Sequence, residues 1–184
     1  LFITGDPSHD QTGPSNVFDV DAIGLVKAGV SLNNGKNLLG KNTGSETNFS
    51  IGVAVNPNMR DYSVQIKRLK RKADAGAKFV MTQPLFEADK IRELYDRTSD
   101  LGLKLFIGLF PITSSRTAEY LHNEVPGITI PEDLRTALGK KTGDRDYQVQ
   151  TGLEHTRELI SAVSGDIEGL YLIAPHTQPR LLAD

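Results

Sequence analysis

The sequence predicts an α/β protein with a parallel sheet and, within that class, a (β/α)8 barrel. Apolar strand-like segments alternate with helix-like segments along the chain, which is typical of parallel strands joined by helical crossovers. The strand-like segments carry small or apolar residues at successive positions, as strands buried on both faces do. An open doubly wound sheet is the competing architecture, but the sequence lacks the glycine-rich strand-to-helix turn typical of it.

Five strands are predicted, each ended by proline, glycine or polar residues. They cover residues 1–3, 49–55, 79–82, 105–110 and 169–174. Polar side chains stand just past these strands, where a barrel places its active-site rim. They are Asp6, Asn56, Gln83, Thr113 and His176.

Apolar residues at helical spacing predict the intervening helices. Val20, Ile23, Val26 and Val30 mark the first, and the polar, glycine-rich residues 33–48 then form a loop. The later helices are expected at 61–75, 88–101, 114–122, from 131, and at 146–164. Glycine follows the second and third helices, and proline begins the fifth, as helix ends favour.

Composition indicates an ordinary globular chain of one domain, 1–184. Apolar residues make up 38% and charged residues 24%, with a net charge of −2, so neither nucleic acid nor a membrane surface is an expected partner. The absence of cysteine excludes a disulfide framework and thiolate chemistry, and fits the cytoplasm. The chain opens on Leu1 inside a predicted strand, so we expect further strands upstream.

Three patterns are interpreted as non-functional. Residues 35–42 approach a phosphate-binding loop, but Asn42 replaces the required hydroxyl and the segment precedes a strand. The basic run 67–72 spreads around a helix as a solvated face. The four histidines lie far apart, so no metal site is expected.

Three motifs stand in a fixed order: residues 1–7 (Leu-Phe-Ile-Thr-Gly-Asp-Pro) followed by 17–21, residues 51–57 (Ile-Gly-Val-Ala-Val-Asn-Pro), and residues 69–86, ending in Thr-Gln-Pro-Leu-Phe. Together they resemble the methylenetetrahydrofolate reductase family over nearly the whole chain. Residues 113–127 are most similar to a subgroup fused behind a homocysteine methyltransferase domain.

The resemblance implies a flavin-dependent oxidoreductase of one-carbon and methionine metabolism. The family folds as a (β/α)8 barrel holding FAD at the carboxyl ends of its strands, and it reduces 5,10-methylenetetrahydrofolate to 5-methyltetrahydrofolate with NAD(P)H. The match places this chain as the last five β/α units, a single partial barrel domain. The sequence leaves open the choice of NADH or NADPH, and whether the partner is a second copy or a methyltransferase domain.

Asp6 and Gln83 are the folate-site residues that the resemblance implies. Asp6 matches an aspartate beside the flavin ring, where a carboxylate tunes the flavin and meets the pterin; an Asx-turn before Pro7 is the structural alternative. Gln83 matches a folate-binding glutamine, whose carboxamide offers donors and an acceptor. A loop-capping amide is its alternative.

FAD contacts are implied at further positions. Thr4, Gly5 and Asp6 form one group at the end of the first strand. The others are Phe18, Ala54, Asn56, Arg71 and Lys72. Lys72 and Arg71 would supply positive charge, and Ala54 would permit close approach. Phe18 has core packing as its alternative.

Two departures from the family weaken the case for activity in this chain alone. The glutamate that acts as general acid belongs to the family's first strand, which has no match here, so we expect the isolated chain to be inactive. Arg180 is only a displaced candidate for the arginine that meets the folate tail. A non-catalytic fragment without flavin, and an unrelated barrel for a phosphorylated metabolite, remain as alternatives.

Overall fold

A computed structural model describes residues 1–4, 19–59 and 61–174. Its centre is a parallel four-stranded sheet in the order β1-β2-β3-β4. The strands are β1 Gly52–Val55, β2 Phe79–Pro84, β3 Lys104–Leu109 and β4 Gly169–Leu172. The predicted α/β class with a parallel sheet is therefore confirmed.

The first predicted strand, 1–3, is reduced to a single bridge. Phe2 pairs in parallel with Val53, and Phe2 N donates to the oxygen of Gly52 at 2.7 Å. The second predicted strand is shorter than expected, because Phe49 is half exposed and its backbone N–H donates to the side chain of Asn33 rather than to a strand.

In the described residues, six α-helices connect or flank the strands. They are α1 Ala22–Asn33, α2 Tyr62–Asp74, α3 Ala88–Thr98, α4 Ser115–Glu124, α5 Glu132–Gly139 and α6 Arg145–Val163. Asp21, Asp61, Ser114 and Asp144 cap four of them by accepting a backbone N–H. Gly76 and Gly102 adopt positive φ just after α2 and after the short 3-10 turn that follows α3. The helices lie where the sequence predicts them.

The main core lies between the helices and one face of the sheet. Val53, Val80 and Ile107 point to this face and are completely buried. The helices contribute Val26, Leu69, Ile91, Leu94, Leu159 and Val163 to the same cluster. We call this side of the sheet the helix-covered face. Its burial explains the apolar residues at every second strand position.

The opposite face pairs glycines with aromatic rings, and it is not fully buried. A Cβ at Gly52 would overlap the ring of Phe79, and one at Gly169 would lie 2.8 Å from the ring of Phe106. The two rings meet edge to face at 5.8 Å and 83°. Both are only partly buried. Among the described residues, β1, β2 and β3 are thus buried on the helix-covered face and only partly buried on this one, because the main-core helix residues pack on the helix-covered face.

A smaller core forms where β3 leads into α4 and α5. Its buried residues are Phe86, Ile112, Ala118, Ile130, Leu134 and Leu138. The buried Gln148 of α6 joins this region by accepting from Ser115 N at 2.7 Å. No helix in the described part of the chain is long and apolar enough to cross a membrane.

Candidate active site

A cleft of about 470 Å³ opens on the glycine and aromatic face, near the carboxyl ends of β1 and β2. It is lined by residues from the first segment, α1, α2 and three of the strands. They are Leu1, Phe2, Ile3, Thr4, Ala22, Ala54, Lys72, Met81, Thr82, Gln83 and Tyr171. Four of the predicted site residues thus meet at one place: Thr4, Ala54, Lys72 and Gln83.

Lys72 brings a positive charge to this cleft from the last turn of α2. Its Nζ donates to the carbonyl oxygen of Ala54 at 2.7 Å. Burial lowers the pKa of Lys72, with a further contribution from Arg68, while Asp21 acts in the opposite direction. An ammonium carries three hydrogens, so a Lys72 bonded to one carbonyl can also bind an anion.

Ala54 shapes the cleft by being small. It lies on β1 in register with Met81 of β2, and both are half-buried on the cleft side. A larger side chain at this position would project into the cleft beside the Lys72 ammonium. The predicted role of Ala54, close approach of a bound group, is compatible with this placement.

Gln83 owes its position to an irregularity in β2. The register between β2 and β3 shifts between Met81 and Pro84. There, Gly108 N donates to Thr82 Oγ1 at 3.0 Å, and Leu85 N donates to the Gly108 oxygen at 3.0 Å. Such a bulge redirects the side chains beside it. The Gln83 side chain is exposed and lines the cleft.

Tyr171 was not predicted as a site residue, yet it lines the cleft from β4. Its phenol donates to the carbonyl oxygen of Thr82, and its ring lies against Gly108. Burial raises the pKa of Tyr171. The sequence offered one signal, a hydroxyl-bearing residue inside an otherwise aliphatic strand, but strand order and register were needed to interpret it.

Two predicted residues lie elsewhere. Arg71 is exposed and does not line the cleft. Asn56 accepts from Asn58 N at 3.0 Å and packs against Gly127, so its side chain is engaged in a turn after β1. These placements leave the predicted FAD contacts of both residues without support from the cleft geometry.

Several predicted residues lie outside the described part of the chain. They are Gly5, Asp6, Phe18, His176 and Arg180. The roles suggested for Asp6 in catalysis and for Phe18 in cofactor binding therefore stay predictions. Thr4, the last described residue before this gap, is exposed at the cleft.

The patterns interpreted as non-functional have structural explanations. Residues 35–42 form a loop in which Lys36 bridges Asn42 and the Asn37 side chain accepts from Lys41 N. In the basic run only Lys72 is partly buried; the other members are exposed. Within the described residues, no group of three or more His, Asp or Glu side chains could hold a metal ion.

Comparison with known proteins gives consistent matches. A family model described as methylenetetrahydrofolate reductase matches residues 2–177. The chain is 28% identical over 117 residues to a probable methylenetetrahydrofolate reductase (NADPH) of Caenorhabditis elegans, covering 60% of this chain and 18% of that protein. It is 30% identical over 128 residues to methylenetetrahydrofolate reductase 1 of Schizosaccharomyces pombe, covering 62% and 20%. The chain thus matches about a fifth of the length of these relatives.

A solved structure is also similar. It is an uncharacterized protein from Clostridium thermocellum, described as binding two copies of 5-methyl-5,6,7,8-tetrahydrofolic acid. The TM-score is 0.48 at 20% identity, covering 72% of this chain and 49% of that one.

Proposed function

The chain belongs to the methylenetetrahydrofolate reductase family, and we propose that it forms part of a FAD-dependent enzyme that reduces 5,10-methylenetetrahydrofolate to 5-methyltetrahydrofolate with NAD(P)H. One observation carries the proposal. The cleft brings together the lysine that family resemblance assigns to FAD and the glutamine that it assigns to folate. These residues lie 11 positions apart in sequence, on α2 and at the end of β2.

We also propose that the sheet is part of a (β/α)8 barrel. Strand order follows chain order without reversal, and the bridge at Phe2 extends it on the β1 side. An open doubly wound sheet reverses its strand order at the binding crevice. The cleft opens near the carboxyl ends of β1 and β2, as in barrel enzymes.

The residues of the cleft fit a flavin cofactor. Lys72 supplies a partly buried cation for an anionic part of the ligand, and Ala54 leaves room beside it. The volume of the cleft lies within the range of small-molecule sites, about 300–1,000 Å³. When bound, FAD would supply the capacity to accept a hydride from NAD(P)H and deliver it to the folate.

Gln83 would orient the folate. Its exposed carboxamide can donate and accept hydrogen bonds at once, which suits the mixed donor and acceptor edge of a pterin. Residues 1–184 contain no match for the family's general acid, so we propose that this chain alone does not complete the folate half-reaction. Association with a second copy or with a methyltransferase domain remains a prediction.

A visible absorption spectrum is the first test. It should be recorded on residues 1–184 and on a longer form extended upstream by the strands we expect. Flavin bands in the longer form should bleach with NAD(P)H and recover with methylenetetrahydrofolate. A colourless longer protein, after FAD has been supplied, would refute the flavoenzyme. Flavin bands that cycle in residues 1–184 alone would contradict the need for upstream strands.

Variants at the folate side test the residue roles. Gln83→Leu should lower kcat/KM for the folate about tenfold or more, because the polar edge of the pterin loses its hydrogen-bond partner. Flavin content and reduction by NAD(P)H should be unchanged, since the resemblance assigns Gln83 to the folate and not to FAD. Asp6→Asn should also lower folate turnover while leaving flavin bound. Gln150→Leu, at an exposed position on α6, is the matched control.

A further inference from the structure

The bulge in β2 is held by two contacts, one from the neighbouring strand β3 and one from β4 beyond it. Thr82 is almost completely buried, at 3% exposure. Its hydroxyl oxygen accepts from Gly108 N of β3, and its carbonyl oxygen accepts from the Tyr171 phenol of β4. The phenol reaches past β3 because Gly108, without a side chain, leaves room for the ring.

The carbonyl that Tyr171 binds belongs to the peptide group joining Thr82 to Gln83. A peptide group is planar, so fixing its oxygen also fixes its nitrogen and the direction of the next Cα. The Gln83 side chain leaves from that Cα. The contact therefore acts on the orientation of Gln83, although Tyr171 lies 88 positions further along the chain.

We propose that Tyr171 is a positioning residue that holds the Gln83 carboxamide in place for the folate through the Thr82–Gln83 peptide. This rests on the proposed function and adds to it a residue outside the motifs that carry the family resemblance. Burial raises the pKa of Tyr171, so the phenol keeps its proton at neutral pH and can donate to the carbonyl.

Tyr171→Phe is the direct test, made in the intact protein that carries residues 1–184. The ring keeps its place over Gly108 and only the hydroxyl is lost. A missing hydrogen bond of this kind should raise KM for methylenetetrahydrofolate about five- to tenfold. Flavin content and the rate of flavin reduction by NAD(P)H should not change, since neither depends on Gln83.

Tyr147→Phe is the matched control. Tyr147 also donates its phenol to a backbone carbonyl, that of Ala137 at 3.2 Å, but in the α5–α6 region. It should lose a similar part of the stability and leave KM for the folate unchanged. If a general loss of stability were the cause, KM for the folate would rise in both variants. If Tyr171 positions Gln83, KM should rise only in Tyr171→Phe.

A double-mutant cycle then links the two residues. If Tyr171 acts through Gln83, adding Tyr171→Phe to Gln83→Leu should produce little further loss in kcat/KM. Fully additive effects would overturn the proposal.

Gly108→Ala is an independent test if Tyr171→Phe fails to fold. The new Cβ at position 108 would lie 2.6 Å from Tyr171 Cζ and so displace the unchanged tyrosine from Thr82. It should reproduce the rise in KM.

The outcomes separate this inference from the proposed function. If the unmodified protein does not reduce methylenetetrahydrofolate, the proposed function fails. If it does so and Tyr171→Phe leaves KM unchanged, or lowers flavin content together with folate turnover, only the positioning role fails.

Discussion

The two faces of the sheet differ although they are made by the same strands. On the helix-covered face, Val53, Val80 and Ile107 are completely buried in aliphatic surroundings. On the cleft face, Ala54, Met81 and Tyr171 are half-buried, and glycines make room for aromatic rings. Because successive residues of a strand point to opposite faces, one residue contributes to the core and the next lines the cleft. On the first face, substitutions that leave a cavity should lower stability most. On the second face, overpacking or the loss of a polar contact should have the larger effect.

A cavity in the helix-covered face should have the largest effect. Ile107→Ala should lower the free energy of unfolding by about 2–5 kcal/mol, because a fully buried side chain leaves a cavity between sheet and helices. Met81→Ala, on the cleft face, should cost about half of that because Met81 is already partly exposed. Urea unfolding of both variants measures the difference; equal losses would contradict the contrast between the faces.

Overpacking should break the cleft face. Gly52→Ala should cost about 1–3 kcal/mol, since the new methyl group meets the Phe79 ring. Combining it with Phe79→Ala should cost less than the sum of the two single changes, because the obstacle is gone. Gly139→Ala is the control, as a Cβ there meets no atom within 4 Å. Thermal unfolding of the single and double variants measures these losses. If the losses of Gly52→Ala and Phe79→Ala were strictly additive, the Phe79 ring would not be the obstacle to a side chain at position 52.

The smallest predicted effect is electrostatic and depends on pH. Burial lowers the pKa of Lys72 below its ordinary 10.5, so the unfolded chain binds this proton more tightly than the folded chain does. The lysine's contribution to stability should therefore rise as the pH climbs from the folded pKa towards 10.5. The free energy of unfolding, measured by urea titration, should rise for the unmodified chain relative to Lys72→Met over this window.

Lys70→Met provides the comparison for that slope, because Lys70 is exposed on the same helix. The free energy of unfolding of each variant is compared with that of the unmodified chain over the same pH series. If the difference in free energy of unfolding between the unmodified chain and Lys72→Met stays constant up to pH 10.5, the ammonium is not desolvated at the edge of the cleft.

Much of the fold could be predicted because its signals are local. Helix ends follow from capping residues such as Asp61 and Ser114, and the strands follow from short apolar runs ended by proline or polar residues. The resemblance identified Lys72 and Gln83, which the structure brings to one cleft. It also suggested Arg71 and Asn56, whose side chains lie outside the cleft, because similarity of sequence does not state which way a side chain points.

The order of strands and helices, the parallel α/β class and the residues that resemble the family could all be predicted from the amino-acid sequence. Which face of the sheet the helices cover became known only from the packing, since glycine, alanine and aromatic residues are apolar whether they meet helices or line a cleft. The tertiary structure likewise decided the bulge at Thr82 and its contact with Tyr171, because pairing between residues 89 positions apart depends on register across three strands.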